Sequence, residues 1–342
     1  MIFESVMAAI PRRQLIEGDY IETAEGLLFT VKGLHHPDGR IIAYLRYLPD
    51  VEGARRRGQT RYRRVYDLDE TTEYLERKHP DYLCRIETKG ISLQSVPVER
   101  IRKVYYPELR LQQILASPRS ELEAEISRFV STVSSESGVD CRNMGVSGSV
   151  LIDLATSSSD LDIIVYGKEQ GLRAYKGISS LRNRDSYIRP YCAESVSKVV
   201  KSRWGDTGLD LRKLLPLEVR KKLHGLANER DYFVRLVPRP GEVEAESRSK
   251  PLGSVTLRAL IIDAQEAIYT PCRYRIETRS IEPALNVAVT ELVSFRGKFT
   301  EQASEGTEVE ARGTLEEAVY HDRTVYRVVL GGRGDYMVPV GL

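Results

Sequence analysis

The sequence is poor in the residues that mark several protein classes. Cysteine occurs four times (Cys84, Cys141, Cys192, Cys272), with no Cys-x-x-Cys and no histidine pair nearby. That argues against a disulfide framework or a zinc site and for reduced structural thiols. No apolar run approaches the ~18 residues of a membrane-spanning helix. The start, Met-Ile-Phe-Glu-Ser-Val-Met, lacks the basic opening and long apolar stretch of a secretory signal. These absences predict a cytoplasmic protein with no membrane partner. Net charge is nearly absent as well: 51 Lys+Arg against 49 Asp+Glu leaves +2. A histone-like or acidic-tail protein is excluded, while a locally basic groove is not. Asn (4) and Gln (8) are scarce, and Arg outnumbers Lys 38 to 13, a composition that suits heat adaptation.

What is present is ordinary globular material. With 342 residues, 41% hydrophobic and 29% charged, the chain supports a large core and two or three domains of ~150 residues. The first hundred residues read as strands, with 20–31 and 40–48 flanking a His36-Pro37-Asp38-Gly39 turn. Residues 52–64 read as an exposed arginine-rich loop entering a basic strand. A helix is expected over 69–78, capped by Asp67 or Asp69 and stopped before Pro80. Further helices are expected at 109–115, after Ser117-Pro118 up to Gly138, and at 168–182, 193–203 and 217–223, with a strand at 232–237. The Pro/Gly/Glu/Ser tract that follows reads as a linker, and strands return after it. The segments 258–275 and 312–327 echo each other faintly, as two similar hairpins of a small barrel would. The expected layout is α+β: an N-terminal β-rich domain (1–106), a core with leading helices (107–240), a linker (241–252) and a C-terminal β-barrel-like domain (253–342).

The chemistry concentrates in residues 145–166. Gly148-Ser149 precedes the apolar-rich Val150 to Leu154. A glycine lets the backbone approach a phosphate, and the neighbouring N–H groups and hydroxyl can donate to it. Then Ser159-Asp160-Leu161-Asp162 runs into Ile163-Ile164-Val165-Tyr166. Two apart on a strand, both carboxylates share a face, and such a like-charged pair tends to bind a proton or a cation. Mg²⁺ or Mn²⁺ suits carboxylate oxygens and keeps substrate phosphates among its ligands.

Gly-Ser, a short helical stretch and Asp-hydrophobic-Asp on a strand together resemble the DNA polymerase β-like nucleotidyltransferase superfamily, over roughly residues 140–240. More broadly the chain resembles archaeal predicted nucleotidyltransferases with flanking domains, a wider match carried by phrases such as Ile42-Ala43-Tyr44-Leu45-Arg46-Tyr47. The resemblance implies a mixed sheet with helices packed against it and transfer of a nucleoside monophosphate from an NTP. It assigns Asp160 and Asp162 to metal binding and catalysis, and Gly148 and Ser149 to the β/γ-phosphates. A third carboxylate is normal in the superfamily. Asp231 is the expected residue, ahead of Asp210 and Glu229, although Arg235 takes the mid-strand position.

Other motifs are weaker. Arg55, Arg56, Arg57, Arg61, Arg63 and Arg64, interleaved with Tyr62 and Tyr66, suit a nucleic-acid backbone or a solvated ion-paired loop. From this cluster Arg61, Arg63 and Arg64 are the nucleic-acid candidates. Lys198 and Lys201, with Arg203, could reach a triphosphate or form a solvent face. The five histidines read as structural or surface residues, and Trp204 as a packing anchor. The expected function is metal-dependent transfer to an acceptor hydroxyl, with RNA as the favoured acceptor. The alternatives are an inactive fold that binds RNA or a nucleotide, and a protein-modifying transferase.

Overall fold

The described residues form three sheets; period-two alternation marks the long strands of the C-terminal one, whereas short strands of the other two are buried on both faces. The computed structural model describes residues 13–87, 90–184, 187–284 and 286–341. The N-terminal sheet contains β1 (Tyr20–Thr23), β2 (Leu28–Val31), β3 (Arg40–Pro49), β4 (Arg55–Arg57) and β5 (Thr60–Arg64). After helix α1 (Leu68–Lys78) come β6 (Leu83–Ile86), β7 (Ile91–Pro97) and β8 (Ile101–Tyr105). The order is β4-β5-β3-β2-β1-β8, with β7 on β3 and β6 on β7. Asp67 caps α1 by accepting from the Glu70 N–H, and basic Arg77 and Lys78 occupy its last turn.

Helices α2 (Pro107–Ala116) and α3 (Glu121–Ser137) follow, then β9 (Met144–Val146), α4 (Gly148–Leu151), β10 (Leu161–Tyr166) and α5 (Lys168–Arg184). The segment closes with β11 (Ile188–Arg189), α6 (Ala193–Trp204), α7 (Leu211–Arg220), β12 (His224–Ala227) and β13 (Arg230–Val237). The central sheet runs β11-β12-β13-β10-β9; β10 and β13 are parallel, with Leu161 opposite Tyr232 and Asp162 opposite Phe233. Leu161, Ile163 and Val165 join Ile126, Phe129 and Ile178 of α3 and α5 in one core. The alternate residues Asp160, Asp162 and Ile164 therefore point to the other face, level with Asp231, Phe233 and Arg235.

The remaining strands are β14 (Arg248–Asp263), β15 (Cys272–Glu282), β16 (Val289–Ser294), β17 (Glu308–Val319), β18 (Thr324–Leu330) and β19 (Tyr336–Pro339). They run β14-β15-β16-β18-β17-β19, and β14 also pairs with β17, which closes a ring. Its interior residues share a core with Val196, Val200, Trp204, Leu214 and Leu217 of α6 and α7.

Three local expectations change. The arginine-rich loop at 52–64 is a hairpin, β4 against β5, turning at Gly58 with φ +58°. The last helix begins at Leu211 because Asp210 caps it; Pro216 lies inside it, at the loss of one backbone hydrogen bond. Arg248 to Leu252, expected as linker, already belongs to β14, and a register shift between Pro251 and Gly253 absorbs the proline. Trp204 is a packing anchor: it is buried with its ring edge-on to Phe299.

Candidate functional site

The site begins at a backbone bend. Gly148 has φ +60°, and a Cβ built on it would lie 1.9 Å from Asp162 Oδ2. Only glycine fits there, because both the dihedral and the carboxylate exclude a side chain. Ser147 fixes this approach: its N–H donates to the Asp162 carbonyl (2.8 Å) and its hydroxyl donates to the Gly18 carbonyl (2.8 Å). The bend that opens α4 thus sits directly on the strand that carries the aspartates.

Asp160, immediately before β10, and Asp162 within it are alternate residues directed to one face, and the Asp160 charge acts on Asp162. Burial, and next the Asp160 carboxylate, push the Asp162 carboxyl up to about 7, against the pull of Arg235, Arg64 and Arg46. Ser149 is buried, and its hydroxyl donates to Ser159 Oγ (3.0 Å). Ser159 in turn accepts from the Thr156 N–H (2.9 Å) and from Arg55 (3.2 Å). Ser149 therefore braces the loop leading into Asp160, while its own hydroxyl is engaged.

Asp231 stands on the same face as the pair, one residue before the first β10–β13 register partner. It is exposed and is engaged by the hydroxyl of Tyr191, whose pKa is raised by burial and then by this carboxylate. Among the described residues no three carboxylate, imidazole or thiol groups come together as a metal-binding cluster. The carboxylates that a cation would meet at the bend are those of Asp160 and Asp162. Two carboxylates held together against their repulsion fit a hard divalent ion that takes its other ligands from phosphate and water.

The N-terminal sheet overhangs this face. Gly18 lies against Ile164, where an added Cβ would meet its Cδ1 at 2.1 Å. Tyr20, Tyr47, Tyr62 and Tyr105 pack with Leu151, Ile152 and Leu154 beyond the bend. Arg55 donates to the Leu154 carbonyl (2.7 Å); Arg57 donates to Tyr105 (2.7 Å) and Tyr62 (3.0 Å) and pairs with Glu22 (3.0 Å). These two arginines join the sheet to the loop after the bend.

Of the three expected nucleic-acid arginines, Arg61 is exposed and Arg63 is paired with Asp50 (3.0 Å) and Glu70 (2.5 Å). Arg64, on the opposite face of the same strand, acts on Asp162 instead. Lys198 and Lys201 are exposed on α6, and the cations acting on Asp162 are Arg235, Arg64 and Arg46. Sequence reasoning missed Arg46 and the tyrosines beside it. Its signal was a cation within the otherwise apolar and aromatic run of β3.

No protein-family model matches the chain, and no solved structure matches it. A protein of Methanocaldococcus jannaschii, described only as uncharacterized, is 28% identical over 326 residues, 92% of this chain and 94% of that protein. The similarity therefore spans all three sheets and brings no activity with it.

Proposed function

We propose that this protein is a metal-dependent nucleotidyltransferase that moves a nucleoside monophosphate from an NTP to an acceptor hydroxyl. The observation that carries this reading is the seating of the Gly148 bend on Asp162, with Asp160 on the same face. The backbone N–H groups of Gly148 and Ser149, at the bend, would meet the β- and γ-phosphates. Asp160 and Asp162 would hold Mg²⁺ or Mn²⁺, which when bound would neutralise charge on the leaving pyrophosphate and favour ionisation of the attacking hydroxyl. The chain's own part is positional: Ser147 and Ser159 fix the bend and the pair in one frame. Asp231 serves as an outer carboxylate toward the acceptor side. RNA is the acceptor class we favour, and a cytoplasmic setting goes with it.

The test is incubation of the purified chain with total RNA and NTP labelled at the α-phosphate, with Mg²⁺ or Mn²⁺. Label is expected in RNA, and Asp160→Ala and Asp162→Ala are expected to remove it. Label in polypeptide would make the acceptor a protein. A second reading, nucleotide or RNA binding without turnover, is favoured by Asp231 standing outside any three-ligand cluster and by Arg235 in mid-strand. Binding that survives both aspartate substitutions, with no transfer, would select it.

A further inference from the structure

The charges on the aspartate face do not balance locally. Arg46, Arg64 and Arg235 all act on Asp162, and Arg46 acts on neither of the others favourably, since Arg64 and Arg235 both repel it. Glu17 is committed: it pairs with Lys32 at 2.7 Å and accepts from the Gly33 N–H at 2.9 Å. Of the three arginines, among the described residues, Arg235 alone reaches it, at 3.5 Å. Among the described residues no carboxylate lies within ion-pair distance of Arg46 or Arg64. Arg46 makes one hydrogen bond among the described residues, to the Val65 carbonyl (3.2 Å), and the buried Arg64 Nε has no partner among them. A guanidinium carries five donors in a planar fork, so most of this capacity is unused.

The arginines are nonetheless held in place. Both Arg64 and Arg46 stack over the Tyr66 ring, 4.2 Å and 5.0 Å from its centroid, and Arg235 stacks over Phe233 at 5.6 Å. Stacking fixes a guanidinium plane and leaves its edge free to donate. Arg235 is level with Ile164 on the aspartate face, and Arg64 is the register partner of Tyr47, which packs with Leu151, Ile152 and Leu154 just after the Gly148 bend. Two strands of the N-terminal sheet and one of the central sheet thus present pre-ordered, underused forks at the bend that seats the aspartate pair. Clustered cations in a partly desolvated setting favour a further counter-anion.

We propose that Arg46, Arg64 and Arg235 form a phosphate-binding cradle in front of Asp160 and Asp162, with a phosphate ester or anhydride as its ligand. The N-terminal sheet then supplies part of the substrate site. Two sources share this chemistry: the NTP tail, and a phosphate carried by the acceptor. The cradle rests on the nucleotidyltransfer reading only for what the phosphate belongs to, since anion binding can be measured without metal or turnover.

The experiment is calorimetric titration of the full chain in EDTA with sodium tripolyphosphate and, separately, orthophosphate. Arg46→Gln, Arg64→Gln and Arg235→Gln are compared with Arg212→Gln, an exposed arginine on α7 that pairs with Asp210. Tripolyphosphate binding is expected to weaken by about tenfold or more in each cradle variant and to stay unchanged in Arg212→Gln. Loss confined to tripolyphosphate assigns the cradle to the NTP tail; equal loss for orthophosphate assigns it to a monophosphate on the acceptor. Should an N-terminal-sheet variant not fold, Arg235→Gln and the salt dependence of wild-type binding carry the test. Absence of anion binding, salt-independent binding, or unchanged affinity in the folded cradle variants would overturn the proposal. Failure of transfer with intact anion binding would overturn the enzymatic reading instead.

Discussion

Gly148 and Asp162 occupy each other's space: the position of a Cβ on the glycine lies 1.9 Å from the aspartate's Oδ2. Fourteen residues apart in the chain, the bend and the carboxylate are locked by the hydrogen bond from Ser147 N–H to the Asp162 carbonyl. The substitution Gly148→Ala should therefore act twice. It strains a backbone at φ +60° and forces the carboxylate aside, at a cost of about 1–3 kcal/mol. Thermal unfolding should register the loss, and Mg²⁺-dependent nucleotide binding should fall far more than in Val150→Ala.

Asp162 gives a pH signature. Its carboxyl is pushed up to about 7 by burial and Asp160, above the unfolded value of about 3.9. The folded chain thus holds a proton that the unfolded chain releases, and this group's stabilisation is lost as pH rises through that window. Asp162→Asn should then raise the melting temperature at pH 8 in EDTA, by the equivalent of about 1–2 kcal/mol after allowing for solvent screening. Because the cation needs the ionised pair, Mn²⁺ affinity of the wild type should fall as pH drops through about 7. Calorimetry across pH 6 to 8.5 reads both effects; a flat Mn²⁺ affinity would contradict this account of the pair.

Asp231 is predicted to matter less than its neighbours. It shares the face but is exposed and engaged by Tyr191. Asp231→Asn should lower transfer by about tenfold while Asp160→Asn and Asp162→Asn abolish it, each comparison made on kcat/KM. Equal loss in all three variants would show that Asp231 closes onto the cation during the reaction.

A second polar cluster holds α6, α7 and β12 to the C-terminal ring. Buried Glu218 accepts from Trp204 Nε1 (2.8 Å), Lys221 (3.0 Å) and Arg203 (2.9 Å), and its carboxyl sits well below the usual range despite burial, chiefly because of Lys221. His224, whose Nδ1 accepts from Arg203 (2.8 Å), is pushed down to about 4 by burial and then by Arg203. Both groups bind fewer protons folded than unfolded, so as pH falls the stabilisation from His224 is lost below about 6.5 and that from Glu218 only below about 4.3. Glu218→Gln leaves Lys221 buried without a counter-charge and should cost about 3–5 kcal/mol, measured by urea unfolding at pH 7.5.

Much of this architecture was legible because alternation and caps are local. Asp67 capping the helix from Leu68, and Gly138 ending Glu121–Ser137 in a left-handed turn, follow from residues within one turn of their partners. The two C-terminal hairpins were visible as an echo of pattern. The aspartate pair and the glycine bend were legible too, since their spacing along one strand and one turn fixes their relation. What the sequence could not show is which strand of the N-terminal sheet meets which residue of the central one. Arg63 and Arg64 are adjacent, yet one is tied to Asp50 and Glu70 at the surface while the other acts on Asp162. That division depends on strand phase and on the approach of Gly18 to Ile164, contacts across more than a hundred residues. Arg235 takes the mid-strand position where the sequence resemblance calls for an acid; in the proposed cradle it stands with Arg46 and Arg64.

The most direct measurement is a crystal structure of the chain soaked with Mn²⁺ and a non-hydrolysable NTP, with the ion identified by its anomalous signal. One ion coordinated by Asp160 and Asp162 together is expected, with the phosphate tail against the Gly148–Ser149 N–H groups. An ion bound elsewhere, or a nucleotide seated away from the bend, would contradict it.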